Sequence, residues 1–85
     1  MAYKVELRPS ARRELLKLPR HDQIRLVRAM DLLGKEPRPK GVKKLTGAED
    51  LYRIRVGDYR FVYQILDDRL IVLVVRIAHR KDVYR

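Results

Sequence analysis

Apolar and polar residues along this chain repeat with two different periods. The second half repeats with a period of two, which is typical of strands whose side chains point alternately to the two sides of a sheet. The first half, after a short alternating segment, repeats at the spacing of helices. The predicted strands are residues 3–7, 51–56, 59–66 and 70–78.

Short polar segments separate the strands of the second half. Gly57 and Asp58 stand alone between two alternating runs, which predicts a two-residue hairpin turn. Asp67 and Asp68, with or without Arg69, predict the next turn. Three consecutive strands joined by such short turns form an antiparallel sheet.

Two helices joined by a tight turn precede these strands. The first begins at Pro9 or Ser10 and ends before Pro19, since the residue before a proline avoids the α region. The second covers HDQIRLVRAMDLLGKEP, with Gly34 near its end. Apolar residues at helical spacing predict one buried face on each helix: Ala11, Leu15 and Leu18 on the first, and Leu26, Val27, Met30 and Leu33 on the second.

The segment between the helices and the hairpin has no clear period. Residues 34–50 contain three of the four glycines and two of the four prolines, so they predict a basic loop, with Val42 and Leu45 as its anchors. The element order is therefore β-α-α-β-β-β. We expect residues 1–85 to form a single α+β domain, a largely antiparallel sheet with an αα-hairpin packed on one face.

The predicted hairpin turn fixes which residues face each other. Arg55 lies opposite Arg60, and Arg53 shares their side of the sheet. Like charges in direct opposition destabilise a sheet, and the guanidinium fork suits phosphate oxygens, so these three arginines favour a phosphate-binding surface over a merely solvated face. The opposite side, which we expect the helices to cover, carries Tyr52, Ile54, Val56, Tyr59, Phe61, Tyr63 and Ile65.

Net charge supports an anionic partner. The chain has 21 Lys and Arg against 11 Asp and Glu, a formal charge of +10, which favours nucleic acid, then an acidic protein, then an anionic membrane. There is no cysteine, and the two histidines, His21 and His79, lie far apart, so neither thiol chemistry nor a metal site is expected. The longest apolar run, residues 70–75, is too short to span a bilayer, and the N-terminal residues do not resemble a signal peptide. A cytoplasmic protein is expected.

The C-terminal segment RIAHRKDVYR continues from the last strand into ionisable residues. From the residues alone, Tyr84 is either an anchoring aromatic or a catalytic group, and His79 is either structural or functional.

Three segments together resemble the RelE/ParE superfamily of toxins from toxin–antitoxin modules: KKLTG, LYRIRVGDYRFVYQI and HRKDVYR. The resemblance extends over essentially the whole chain and is greatest to the RelE branch. It implies cleavage of mRNA in the ribosomal A site without a metal or small-molecule cofactor. It also implies partners, namely the ribosome, mRNA and an acidic RelB-like antitoxin, and no membrane.

The resemblance also implies functional residues. Catalytic roles fall on Arg53 and Arg55 before the hairpin turn, Arg60 after it, and Arg80 and Tyr84 near the C-terminus. The RelE type member has lysines in place of the first two, so here the role of general base falls on Tyr84, or on His79 as an unconventional helper. Further RNA phosphate-binding residues are expected to be Lys40, Lys43, Lys44, His79, Lys81 and Arg85.

Two other functions share parts of this pattern. A ParE-like toxin would poison DNA gyrase without cleaving RNA. A catalytically weak module would bind RNA or the ribosome through charge alone, losing affinity in step with charge and salt.

Overall fold

The helices pack on one face of a five-stranded sheet in the computed structural model, which describes residues 2–45 and 50–79. The strand order is β1-β5-β4-β3-β2, with β1 parallel to β5 and the other neighbours antiparallel. The predicted α+β architecture is confirmed. Its elements are β1 (Lys4–Leu7), α1 (Pro9–Leu16), α2 (Arg20–Lys35), β2 (Lys43–Lys44), β3 (Leu51–Val56), β4 (Tyr59–Leu66) and β5 (Ile71–His79).

Prolines set the starts of both helices. Pro9 occupies the first turn of α1, where a missing N–H costs nothing, and Pro19 is the residue before α2. Gly34 lies inside the last turn of α2 rather than after it. An added Cβ would come within 3.0 Å of the Tyr3 carbonyl, so the glycine lets β1 approach closely. Neither of the helices that the structure describes is long and apolar enough to cross a bilayer.

The core lies between the helices and the sheet. Ala11 and Leu15 of α1 are buried there, as predicted. The prediction for α2 is wrong at one position, because Val27 is 42% exposed and contributes to an outer surface. The other core residues are Leu26, Met30, Leu33, Tyr52, Tyr59, Phe61, Tyr63, Ile65, Val72, Val74 and Ile77.

The β3–β4 hairpin has the predicted register. Arg55 pairs with Arg60 and Ile54 with Phe61, around a turn at Gly57 and Asp58. Burial alternates along β4, with Phe61 and the other odd-numbered residues buried against the helices. The even-numbered residues lie on the opposite face of the sheet, since neighbours along a strand point in opposite directions.

The path into and along β5 differs from simple alternation. The turn extends to Leu70, whose φ is 54°, so β5 begins one residue later than predicted. Tyr63 pairs with Val74, but its neighbour Val62 pairs with Arg76, which leaves Val75 as an extra residue. Such a bulge reverses the side to which every later side chain points.

The predicted loop of residues 34–50 contains a short strand that the sequence did not reveal. Lys43 and Lys44 pair with β3, and a two-residue strand is too short to produce a visible period. Val42 packs against the core, and the Leu45 N–H donates to the Leu51 carbonyl at 2.9 Å, so both anchors hold the loop to the sheet.

A buried tyrosine should limit stability in alkali. The Tyr63 hydroxyl donates to the Pro37 carbonyl at 2.8 Å, and burial raises the pKa of Tyr63 to about 12. In the unfolded chain Tyr63 ionises at about pH 10. The contribution of the buried, protonated Tyr63 to stability is therefore full below that pH and is lost as the pH rises through the folded pKa. We therefore expect the free energy of unfolding to fall as the pH rises from about 10 to about 12.

Urea unfolding of the wild type and Tyr63→Phe across about pH 8 to about pH 12 measures this effect. The variant should lose roughly 1 kcal/mol near pH 8, because the Pro37 carbonyl loses its donor. Its free energy of unfolding should then decline less steeply with rising pH than that of the wild type. An equally steep decline in both proteins would contradict the assignment.

Candidate functional site

Basic side chains line a groove on the face of the sheet opposite the helices. Lys43 of β2 pairs with Arg53 of β3, and Arg55 pairs with Arg60 of β4, so three neighbouring strands contribute side chains to the same face. The groove is open and has a volume of about 240 Å³. Its lining residues are Gly41, Lys43, Arg53, Arg55 and Arg60.

The groove is strongly electropositive. Its described lining contains no carboxylate, and within the same part of the chain neither Lys43 nor Arg53 forms an ion pair. Arg55 directly opposite Arg60 places two like charges on neighbouring strands, an arrangement that disfavours strand pairing. A bound anion would relieve that repulsion, and the guanidinium groups suit a phosphate.

A contact with the hairpin turn fixes the side chain of Arg55. Its Nε donates to the Gly57 carbonyl at 3.2 Å, and the Arg25 guanidinium of α2 packs against the same glycine. Gly57 has φ of 61°, and a Cβ there would overlap Arg25, so no other residue fits without strain. Asp22 completes the contact, accepting from the Tyr59 hydroxyl at 3.0 Å and lying 3.9 Å from Arg25. Burial, then this hydrogen bond, raises the pKa of Tyr59 above its ordinary value.

A second cluster fixes the loop that leads into β2. Arg38 forms a two-point ion pair with Asp67, with Nη2–Oδ2 at 2.8 Å and Nη1–Oδ1 at 3.3 Å. Its Nε donates to the Tyr52 hydroxyl at 3.2 Å, and its guanidinium lies 5.4 Å from the centre of that ring. Tyr3 donates to Asp67 at 2.6 Å, and the pKa of Asp67 is lowered first by Arg38 and then by Tyr3. These contacts tie the start of the loop that carries Gly41 to Tyr3, which precedes β1, to β3 and to the β4–β5 turn.

Not every predicted site residue lies at the groove. Lys44 pairs with Tyr52 and therefore points toward the opposite face from Lys43. His79 pairs with Tyr59 on the helix side, where the two rings meet edge to face with centroids 5.1 Å apart. Lys40 is exposed beside the groove but does not line it. The remaining predicted residues, Arg80, Lys81, Tyr84 and Arg85, lie outside the described residues.

Sequence analysis missed one basic residue on this face. Arg76 of β5 is exposed and pairs with Val62, which places it on the same side of the sheet as Arg60. If the alternation continued without interruption from the buried Val74, Arg76 would lie under the helices. The bulge reverses the alternation, and nothing in the sequence marks its position. Across residues 2–45 and 50–79, no group of three His, Asp or Glu side chains is placed to hold a metal ion.

Comparison with known proteins gives the class to which this fold and groove belong. Residues 5–84 match the family model described as the ParE toxin of type II toxin–antitoxin systems, parDE. The toxin RelG of Mycobacterium tuberculosis is 35% identical, with 100% of this chain and 99% of the relative covered. The mRNA interferase toxin RelE of Escherichia coli is 31% identical, with 99% of this chain and 92% of the relative covered.

The fold has the same relatives. The archaeal RelE–RelB complex from Pyrococcus horikoshii contains a chain that superposes with a TM-score of 0.83 at 32% identity, covering 94% of this chain and 97% of that one. The chain therefore belongs to the ParE toxin family of type II toxin–antitoxin systems. Within that family it belongs to the RelE branch.

Proposed function

We propose that this toxin is an endoribonuclease that cleaves mRNA on the ribosome, by attack of a ribose 2′-OH on the adjacent phosphorus. The observation that carries the proposal is the convergence of Lys43, Arg53, Arg55 and Arg60 in one groove, with no carboxylate among the described residues that line it. The similarity to an Escherichia coli relative named as an mRNA interferase supports the same activity.

The groove supplies what the reaction needs most. The attacked phosphate gains negative charge as it becomes pentacovalent, and fixed cations in place beforehand stabilise that charge without reorganisation. Arg53, Arg55 and Arg60 are proposed to bind its oxygens. The products would be a 2′,3′-cyclic phosphate and a free 5′-OH.

Proton transfer requires a different group. Arginine cannot usefully accept a proton, and the pKa values of Tyr59 and Tyr63 are raised. We assign the role of general base for the 2′-OH to Tyr84, as the resemblance to the RelE branch implies. Arg80 is proposed to bind on the leaving-group side of the phosphate, where the departing 5′-oxygen takes its proton from solvent water.

The groove's open shape favours a role for the ribosome. Its described lining contains no aromatic side chain on which a base could stack, so it holds the RNA backbone without fixing the bases. We propose that the ribosome, in the cytoplasm, presents the mRNA in its A site in the conformation that the reaction requires.

An acidic antitoxin is the proposed protein partner. The structural relative from Pyrococcus horikoshii is a RelE–RelB complex, and this chain carries a charge of +10. The outer face of α2 exposes Ile24 (44%) and Val27 (42%) between Arg20 and Arg28, in a shallow groove of about 260 Å³. This surface suits an amphipathic segment with apolar residues flanked by carboxylates.

The proposed activity is tested by primer extension on mRNA from programmed ribosomes, incubated with the purified toxin and a chelator. The wild type should cut within the A-site codon. Arg80→Ala should slow the cut by about 100-fold or more, because it removes a transition-state cation. Tyr84→Phe should slow it by roughly 10²–10⁴-fold, the range for loss of a general base.

The alternatives predict different results. Cutting that requires free divalent metal would contradict the proposed mechanism. An absence of cutting by well-folded wild type would favour gyrase poisoning or simple RNA binding, which can then be assayed directly. Tyr84→Phe at the wild-type rate would move the role of base to another residue.

A further inference from the structure

A line of basic residues crosses the sheet beyond the groove. Lys43 pairs with Arg53, Arg53 with Val62, and Val62 with Arg76, so the four side chains form one cross-strand row on the same face. Three of the four are cationic, and the apolar Val62 separates Arg53 from Arg76. Arg60 belongs to the adjacent row, where its partner on β5 is the small Ala78.

The spacing places Arg76 to one side of a phosphate held by Arg53 and Arg55. Arg53 and Arg76 are two strands apart, about 10 Å at the ordinary strand spacing of about 4.8 Å. An RNA backbone that crosses the strands would pass over Val62 and Ala78, whose short side chains leave room for it. Its next charges would then approach Arg76.

The Glu14 carboxylate of α1 lines the same cavity at the edge of β5 as Arg76, but within the described residues Glu14 pairs with Lys17 and not with Arg76. Arg76 is exposed, and no ion pair joins it to residues 2–45 or 50–79. Strand β1 pairs with β5 only as far as Val74, so the edge beside Arg76 has no described strand against it. A cation on such an edge also discourages pairing with another chain, which is the purely structural explanation of this residue.

We propose that Arg76 binds a second backbone phosphate of the RNA, on the side of Val62 away from Arg53. This inference rests on the proposed function, because it names a further contact of the same RNA. Arg76 thereby extends the binding surface from the groove to the β5 edge of the sheet. It takes no part in the chemical step.

Binding to an uncleavable RNA tests the contact separately from catalysis. The probe is a fluorescently labelled, fully 2′-O-methylated single-stranded oligoribonucleotide, and anisotropy gives the Kd over a series of KCl concentrations. Arg76→Ala should weaken binding about 5–10-fold at low salt. It should also reduce the slope of log K against log salt by about 0.7, the loss of one phosphate contact on a single strand.

Arg69→Ala is the matched control. Arg69 is an exposed arginine in the turn at the opposite end of β5, so this variant removes the same charge away from the face. It should change the Kd less than about twofold and leave the slope unchanged. Arg76→Lys should keep the slope, since a lysine also neutralises a phosphate.

The outcomes separate this inference from the proposed function. On programmed ribosomes, Arg76→Ala should raise the half-saturating toxin concentration and leave the maximal cleavage rate within about twofold. Equal losses for Arg76→Ala and Arg69→Ala, or no salt-dependent binding by wild type, would overturn the Arg76 contact. If wild type cleaves no mRNA, the proposed function fails, while the anisotropy series still decides whether Arg76 binds RNA.

Discussion

Replacing Arg60 with alanine should lower the single-turnover rate of mRNA cleavage by about 10²–10³-fold, the usual cost of removing one group that stabilises transition-state charge. Arg60 lies on β4, near the middle of the sheet, with Arg55 directly across from it. Its guanidinium can therefore share one phosphate with those of β3. No other strand brings an arginine to this position, among the residues that the structure describes.

The same change should leave the fold intact. Removing Arg60 relieves the like-charge opposition with Arg55, so we expect the free energy of unfolding to fall by no more than about 1 kcal/mol. Thermal or urea unfolding measures this beside the cleavage assay, with Arg69→Ala as the control for lost charge. Arg60→Lys should recover only part of the rate, because it restores the charge without the fork. A rate for Arg60→Ala within a few-fold of wild type would show that the groove is a docking surface.

The hairpin could be predicted closely because local chemistry determines it. The turn at Gly57 and Asp58 fixes which residues are paired, and the period of two then assigns every side chain to a face. The prediction that Arg53, Arg55 and Arg60 share one face depended only on counting outward from that turn. The structure has the same pairs.

Beyond the second turn, the alternation of apolar and polar residues no longer predicts the face on which each side chain lies. The turn reaches Leu70, and the bulge at Val75 reverses the alternation. Arg76 therefore lies on the arginine face, the side of the sheet that carries Arg53, Arg55 and Arg60, and His79 lies against Tyr59. Both features depend on how β5 fits between β1 and β4, two strands that are distant from each other in sequence. No local pattern of residues encodes that fit.

The loop before the hairpin illustrates a second limit. Lys43 lines the groove only because a two-residue strand pairs with β3, and Arg38 anchors that loop through Asp67 and Tyr52. These partners are 29 and 14 residues from Arg38 along the chain, so the contacts are tertiary. Composition predicted a basic loop, but it could not distinguish Lys43 at the groove from Lys44 on the other side.

Phe61→Ala should be the most destabilising change in the sheet, costing about 3–5 kcal/mol of the free energy of unfolding. Phe61 is fully buried between the sheet and the helices, and its ring packs against Tyr63 with centroids 6.0 Å apart. A cavity there would lose contacts on both sides. Since small domains have only about 5–15 kcal/mol in total, the variant should be partly unfolded at moderate temperature.

The neighbouring residue provides the matched control. Val62 adjoins Phe61 on the same strand but lies on the arginine face, so Val62→Ala should cost less than about 1 kcal/mol. Urea unfolding of both variants measures the difference between the two faces of one strand. The helices bury one face of the sheet, so the core does not depend on the other face. That face can carry several arginines, although their like charges lower the stability of the sheet. If Val62→Ala cost as much as Phe61→Ala, both faces would be packed, and RNA could not reach Arg53, Arg55 and Arg60.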